Sequence, residues 1–234
     1  LCLLITIAPL SAKEFLTTDT LVRQGALITT AQYPDSDDLL LDDFIQVTYQ
    51  ADGSSEMWDD TAIKILTEKG KRENRTLALS FNVSYGTNYF TKVEVIKPDG
   101  TVVPVDVEAN SKVMVDPSQM SSNIYNPNSK ILSLSVPGLE IGDILRYVAY
   151  DLQTKTVVPN TWSDYQVFEA TTPIKHLTYQ IIAPSERPLK RIALKDEVPG
   201  TVDYKKTERG EQMVYTWTIS NVPRMFEEPN MPES

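Results

Sequence analysis

The stretch VEVIKPDGTVVPVDVE, residues 93–108, carries the clearest β-hairpin pattern of the sequence and decides the fold class. On both arms, from Val93 to Val107, valines recur at every second position, which is the period of a half-buried strand. Between the arms, Pro98 presets φ for a turn and Gly100 accepts a positive φ. The stretch therefore predicts two antiparallel strands joined by a tight turn.

The same alternation recurs along the chain and indicates an all-β fold. It is found in FIQVTYQ, residues 44–50, and in VYTWTIS, residues 214–220, among about a dozen short segments at roughly even spacing. One helix is predicted within residues 15–32, where Asp19 could cap it. EKGK, residues 68–71, is predicted to be a turn. The pattern favours an antiparallel β-sandwich with a short N-terminal helical segment over a fold of alternating strands and helices.

The charge balance argues against two classes of partner. The 234-residue chain has 22 lysines and arginines against 32 aspartates and glutamates, a formal net charge of −10. Affinity for nucleic acid comes largely from the neutralisation of phosphates by basic side chains, and binding to an anionic membrane surface needs positive charge as well. We therefore expect neither nucleic acid nor a membrane surface among the partners.

The N-terminal run LCLLITIAPL, residues 1–10, has the apolar character of a secretory signal peptide. Leu10 and Ala12 occupy the −3 and −1 positions of a signal-peptidase site, which predicts cleavage after Ala12. A membrane-spanning helix needs about 20 apolar residues, more than this run contains, so a short anchor or a buried strand is the disfavoured alternative. The prediction is an exported protein, periplasmic or at the cell surface, without a membrane span after cleavage.

Few side chains suit catalysis or metal binding. The only cysteine, Cys2, lies in the predicted signal peptide, and His176 is the only histidine. A zinc site needs several nitrogen or sulfur ligands, and a nucleophile needs a base beside it. We therefore expect no catalytic residues, no metal and no cofactor in the mature chain. The alternation in HLTYQII predicts that His176 is a solvated strand residue.

Paired carboxylates are a remaining catalytic possibility, since glycosidases use two carboxyl groups about 5–10 Å apart. The adjacent pairs include Asp42 with Asp43 and Asp59 with Asp60. Neighbouring residues on a strand point to opposite faces, so neither pair converges by spacing alone. A glycosidase-like activity is the weakest hypothesis, and it requires two facing acids in one cleft.

Aromatic side chains could instead provide a surface on which a ligand stacks. Trp58 and Trp162 suit either this role or burial in a core or domain interface, and the sequence leaves both open. Tyr125 lies in DPSQMSSNIYNPNSK, residues 116–130, a polar segment without periodicity that is predicted to be a loop. These three residues support a second hypothesis, an independent module that binds a glycan or peptide of the cell envelope.

The stretch NVPRMFEEPNMPES, residues 221–234, has the features of a domain junction. Pro223 cannot donate to a strand ladder, and Pro229 favours an extended, stiff backbone. Met225 and Phe226 are apolar but belong to no predicted strand, so we expect them to pack on this domain or on a following one. The predicted organisation is a signal peptide remnant (1–12), a helical or irregular segment (13–40), a β-sandwich domain (41–222) and a Pro-rich junction to a further C-terminal domain (223–234).

Five motifs follow one another along the chain: AIKILTEKGK, VEVIKPDG, SVPGLEIGDILRYV, PNTW and EPNMP. In this order and spacing the chain resembles the domain of unknown function 3857 family, over residues 31–232. The resemblance implies an immunoglobulin-like β-sandwich from an exported bacterial protein, in which this domain usually precedes a transglutaminase-like domain of papain-type fold. It assigns no catalytic residues to the β-domain, because the Cys-His-Asp machinery belongs to the following domain.

The resemblance and the missing nucleophile together favour one function. We expect a non-catalytic accessory domain of an exported transglutaminase-like protein of the cysteine peptidase or amidase type. Such a domain would position the substrate or the neighbouring catalytic domain. Its expected partner is therefore the C-terminal transglutaminase-like domain of the same polypeptide.

Overall fold

The structure is a computed structural model that describes residues 12–122, 125–195 and 198–226. Cys2, Pro229 and the predicted signal peptide up to Ser11 lie outside these ranges. The helices are α1 (Thr18–Ala26), α2 (Glu68–Glu73), α3 (Val107–Asn110) and α4 (Gln119–Ser122). The strands are β1 (Asp38–Tyr49), β2 (Ser55–Ile65), β3 (Thr76–Asn82), β4 (Gly86–Ile96), β5 (Val102–Pro104), β6 (Ser111–Val115), β7 (Ser129–Ser135), β8 (Ile144–Gln153), β9 (Ile174–Pro184), β10 (Asp203–Arg209) and β11 (Gln212–Val222).

Within the described residues the strands form two sheets. The larger has eight strands in the order β10-β11-β9-β1-β2-β8-β4-β5, and the smaller has three in the order β3-β7-β6. Neighbours pair antiparallel except β1 and β9, which run parallel with Phe44 opposite Thr178. The predicted β-rich fold with a short N-terminal helix is confirmed, but the expectation of purely antiparallel pairing is wrong. A crossover, residues 154–173, brings β9 alongside β1 in the same direction, as parallel pairing requires.

The two sheets share a core only at one end of the larger sheet. There Leu134 of β7 packs with Val95 of β4 and Leu145 of β8, and all three side chains are buried. Farther along the same face, Trp162 and Leu189 from segments without regular secondary structure cover the strands instead. The predicted immunoglobulin-like sandwich is thus met only in part, because irregular segments occupy the place of a second full sheet.

The central hairpin forms as predicted, with a shorter second arm. Val95 of β4 is paired with Val103 of β5, and the Lys97 amide donates to the Thr101 carbonyl oxygen at 2.8 Å. Gly100 has φ of +87°, the conformation for which a glycine is needed. The second arm stops at Pro104, and helix α3 begins at Val107, because Asp106 caps it by accepting from the Ala109 amide at 3.0 Å.

The EKGK segment is the start of helix α2 rather than a turn. Its N-cap is Thr67, whose side chain accepts a hydrogen bond from the Gly70 amide at 3.1 Å. The Thr67 amide in turn donates to the Asp37 carbonyl oxygen. Gly70 lies so close to Asp37 that a Cβ would stand 2.1 Å from the Asp37 carbonyl oxygen. In the sequence, Gly70 suggests a turn. In the structure, its lack of a Cβ lets α2 pack against the residue that precedes β1.

Opposite the face that carries the shared core, the N-terminal segment covers the sheet. We call this side, which presents Trp58, Asp60, Glu94 and Arg146, the N-terminal face. Helix α1 buries Leu21 against it, and the helix begins after Thr17, not at a cap formed by Asp19.

A buried ion network fastens this segment. Arg146 is 1% exposed and donates to both Asp60 carboxylate oxygens at 2.9 Å and to Glu94 at 3.1 Å. Asp60 in turn accepts the backbone amides of Phe15 and Leu16 at 2.8 and 2.9 Å.

Candidate functional site

An open cavity of about 350 Å³ lies where the last strand of the large sheet ends. Three stretches of chain meet there: residues 32–36 after α1, Pro173 and Ile174 at the start of β9, and residues 221–224 with Phe226 at the end of β11. Three prolines, two aromatic residues and two aliphatic residues are among the twelve described lining residues, and Arg224 supplies a cation. The cavity therefore combines an apolar surface with one basic group at the point where the chain leaves the sheet.

Local backbone chemistry places these residues. Asn221, next to the last residue of β11, adopts a left-handed φ of +55°, and Pro223, directly after the strand, has no amide to continue the ladder. The chain then returns towards the crossover, because the Met225 amide donates to the Ala170 carbonyl oxygen at 2.8 Å. Pro173 is held in the same region by its carbonyl oxygen, which accepts from the Leu40 amide at 3.0 Å.

Arg224 is the basic residue among those described as lining this cavity. Its guanidinium carbon lies 4.8 Å from the centre of the Phe226 ring, a cation–π contact. Its Nε is buried and has no hydrogen-bond partner among the described residues. The nearby Asp37 is already engaged by Lys69 at 2.7 Å, and this hydrogen bond is the main reason that the pKa of Asp37 is lowered. The charge of Arg224 makes only a minor contribution to that shift.

The predicted junction residues differ in how far they are exposed to solvent. Met225 is half-buried, Pro223 is exposed, and Phe226 is 62% exposed. Pro229 lies outside the described residues. Met225 therefore packs back on this domain, whereas the Phe226 ring is presented outward from the cavity rim.

The predicted ligand-contact residues do not converge. Trp58 is 6% exposed and packs against Tyr150 on the N-terminal face, with ring centres 4.5 Å apart. Trp162 stacks on Tyr49 at 4.6 Å on the opposite face of the sheet. Tyr125 is 73% exposed in the segment between β6 and β7. No shared aromatic surface for a ligand arises from these three side chains.

His176 is not simply a solvated strand residue. Its Nδ1 lies 2.7 Å from an oxygen of the largely buried Asp42, and this hydrogen bond raises the pKa of the imidazole. Ser220 is its cross-strand neighbour on β11. An imidazole oriented by a carboxylate is a possible base, yet no hydrogen bond joins Ser220 to His176 in the described structure. The parallel pairing of β1 with β9 creates this contact, and no local sequence pattern indicates that pairing.

Two acids from different pairs do meet inside the sheet. Asp43 of β1 and Asp59 of β2 both lie beside Thr61, whose hydroxyl is 2.6 Å from Asp59 and 3.3 Å from Asp43. Burial is the main cause that raises the pKa of both carboxyls, and their mutual interaction adds to the rise at Asp43. Neither acid lines the cavity at the end of β11, so the requirement of a glycosidase for two facing acids in one cleft is not met there.

Two further features bear on the function. Among residues 12–122, 125–195 and 198–226, no cluster of three or more histidine, cysteine, aspartate or glutamate side chains could hold a metal ion. None of the helices in those ranges has the length and apolar character that crossing a bilayer would require.

Comparison with solved structures found matches of different strength. A crystal structure described as a "putative protease" from Parabacteroides distasonis superposes with a TM-score of 0.67 at 16% identity, over 85% of this chain and 38% of that one. An M1 zinc metallopeptidase E323A mutant from Deinococcus radiodurans matches with a TM-score of 0.35 at 8% identity, over 78% of this chain and 39% of that one. Native leukotriene A4 hydrolase from Saccharomyces cerevisiae gives 0.35 at 10% identity, over 84% and 30%. The first likeness shows the fold, and the chain spans 38% of that protein's length.

By sequence, no curated protein matches the chain. A family model does match, over residues 51–226, with the description "Domain of Unknown Function with solved-structure structure". This range contains four of the five motifs in full and stops short of EPNMP, so the predicted extent of residues 31–232 is wider than the match. The family prediction itself is confirmed: the chain belongs to the DUF3857 family of domains of unknown function.

Proposed function

We propose that this domain is a non-catalytic accessory module that holds a neighbouring catalytic domain of the same polypeptide against the cavity at the end of β11. The observation that carries the proposal is the cavity itself. It is built where the chain leaves the sheet, and Phe226 is 62% exposed at its rim. A large exposed ring beside an apolar cavity is typical of a surface that another protein surface covers.

The nature of the neighbour is inferred from the family resemblance and from the fold comparison. The resemblance implies a transglutaminase-like domain, of the cysteine peptidase or amidase type, after this one. The chain of similar fold that is described as a protease is much longer, since this domain matches 38% of it. Both observations support a catalytic domain next to the β-domain, in an exported protein of the periplasm or cell surface.

The alternative is an independent module for a glycan or peptide of the cell envelope. It needs a platform of aromatic side chains that a ligand can reach. Trp58 is buried and Trp162 is stacked on Tyr49 across the sheet, so this alternative has less support than docking. Calorimetric titration with envelope peptides and glycans distinguishes the two, because only the alternative predicts heat of binding.

The test starts with the gene. We expect an open reading frame that continues past Ser234 into a catalytic domain. A stop codon within a few residues would contradict the proposal. In the full-length polypeptide, Phe226→Asp should then expose the junction, because a carboxylate cannot replace the ring in an apolar contact. We expect limited proteolysis between the two domains to become at least about tenfold faster, which corresponds to about 1.4 kcal/mol.

A matched control separates docking from a general effect of charge. Val113 is 54% exposed on β6 of the small sheet, away from the cavity, and Val113→Asp should leave the cleavage rate between the domains unchanged. Equal rates for the wild type and Phe226→Asp would contradict the docking role of this surface.

A further inference from the structure

One cation at the proposed docking surface has no anionic partner among the described residues. No carboxylate of the described residues forms an ion pair with Arg224, and its buried Nε has no hydrogen-bond partner. The protein as a whole has a net charge of −10, so unmatched acids are plentiful elsewhere on its surface. In such an acidic protein, the lack of a carboxylate partner for Arg224 among the described residues needs an explanation.

Two acids near Arg224 among the described residues do not pair with it. Asp37 is bound by the Lys69 amine and the Thr67 hydroxyl, both at 2.7 Å. Asp35 lines the same cavity but remains exposed and forms no ion pair with Arg224. The described residues thus provide no carboxylate for the guanidinium, which lines the cavity.

One face of the guanidinium is already in contact with an aromatic ring of this domain. Phe226 lies against it with 4.8 Å between the guanidinium carbon and the ring centre. A planar guanidinium held in this way offers parallel N–H donors that match the two oxygens of a carboxylate. Covering the cavity with another domain would bury the charge, and a buried charge without a partner is strongly unfavourable.

We infer that a carboxylate side chain of the neighbouring domain pairs with Arg224 when the two domains dock. This inference rests on the proposed function and specifies the chemistry of the partner surface: an aspartate or glutamate that enters the cavity beside an apolar contact for Phe226. The ion pair would fix the relative position of the two docked domains, since it forms only when both surfaces are in place.

Carbodiimide crosslinking of the full-length polypeptide tests the pairing. The reagent activates a carboxyl group. A nearby lysine amine then attacks the activated carbon, the reagent leaves as a urea, and an amide bond is formed. Arginine does not react, so Arg224→Lys installs a reactive amine at the same place with the same charge. Mass spectrometry should identify a peptide that joins position 224 to one aspartate or glutamate of the following domain, and this product should be absent from the wild type.

Two native lysines make the outcomes distinguishable. Lys69 lies beside Asp37, and Lys175 donates to the Asn221 side chain at 2.6 Å, so both are near the cavity. Crosslinks from either lysine to the following domain, with none from position 224, would overturn the inference and leave docking intact. Linkage of position 224 only to Asp35 or Asp37 would overturn it as well. The absence of interdomain crosslinks from all three positions would contradict the inference and the proposed function together.

Discussion

At the scale of single residues, polar side chains inside the sheet have consequences that the strand pattern does not reveal. Asp43 is 7% exposed, and its neighbours Asp59 and Thr61 leave it without a cation. Burial, reinforced by the charge of Asp59, raises the pKa of Asp43 well above the usual value of an aspartate. The native protein therefore retains a proton at this site to a higher pH than the unfolded chain does.

Replacing Asp43 by asparagine should stabilise the protein at neutral pH. In the wild type, the stability from the retained proton is complete below the pKa of an unfolded aspartate, about 3.9, and is lost as the pH rises through the raised pKa of the folded state. The amide cannot ionise, so Asp43→Asn avoids this loss. We expect a melting temperature about 2–4 °C higher at pH 7.5, equivalent to about 1 kcal/mol, with the difference vanishing near pH 4.

The control for this prediction is Asp203→Asn, which changes an exposed aspartate on β10. Its effect should stay within about 0.5 kcal/mol at both pH values. A melting temperature of Asp43→Asn that is equal to or below that of the wild type at pH 7.5 would show that the ionised carboxylate is well accommodated.

At the scale of elements, Arg146 fastens the N-terminal segment to the sheet. It is 1% exposed and donates to Asp60, and its Nη2 also donates to the Leu16 carbonyl oxygen at 2.8 Å. Glu14 adds an ion pair to the same group at 3.0 Å. The segment before α1 is thus held by charge as well as by apolar packing.

Arg146→Ala should destabilise the fold severely, because it leaves the fully buried Asp60 without its cation. A loss of about 3–5 kcal/mol in the free energy of unfolding is expected in urea titration. If that variant does not fold, Glu14→Gln tests the exposed end of the network and should cost at most about 1 kcal/mol. Arg72→Ala, at an exposed arginine on α2, is the control with little effect. A loss below 1 kcal/mol for Arg146→Ala would show that the network contributes little.

The comparison of sequence with structure is also clearest for these elements. Alternation predicts β11 correctly, with Tyr215, Trp217 and Ile219 buried on one face. It does not predict burial of Arg146, because the pattern tells which side of the strand a residue faces but not whether another segment covers that side. The contact of His176 with Asp42 depends on a parallel pairing across 134 residues, and local periodicity carries no information about such a partner.

At the scale of the whole molecule, the same limit applies to the candidate site. The prolines after β11 predict that the chain leaves the sheet there, and Phe226 stands out as an apolar residue without a strand. The cavity, however, forms from three stretches that are distant in sequence, residues 32–36, 173–174 and 221–226. Neither its existence nor the place of Arg224 in its lining can be derived before the strands are assembled.

The central claim is that another domain of the polypeptide covers this cavity. An experimental structure of the full-length polypeptide tests it most directly, through the exposed fraction of Phe226, which is 62% in this domain. The account predicts that Phe226 and Arg224 become buried in an interface of about 600–1,500 Å² with the following domain. A following domain that contacts the β-domain elsewhere and leaves Phe226 as exposed as it is here would contradict the account.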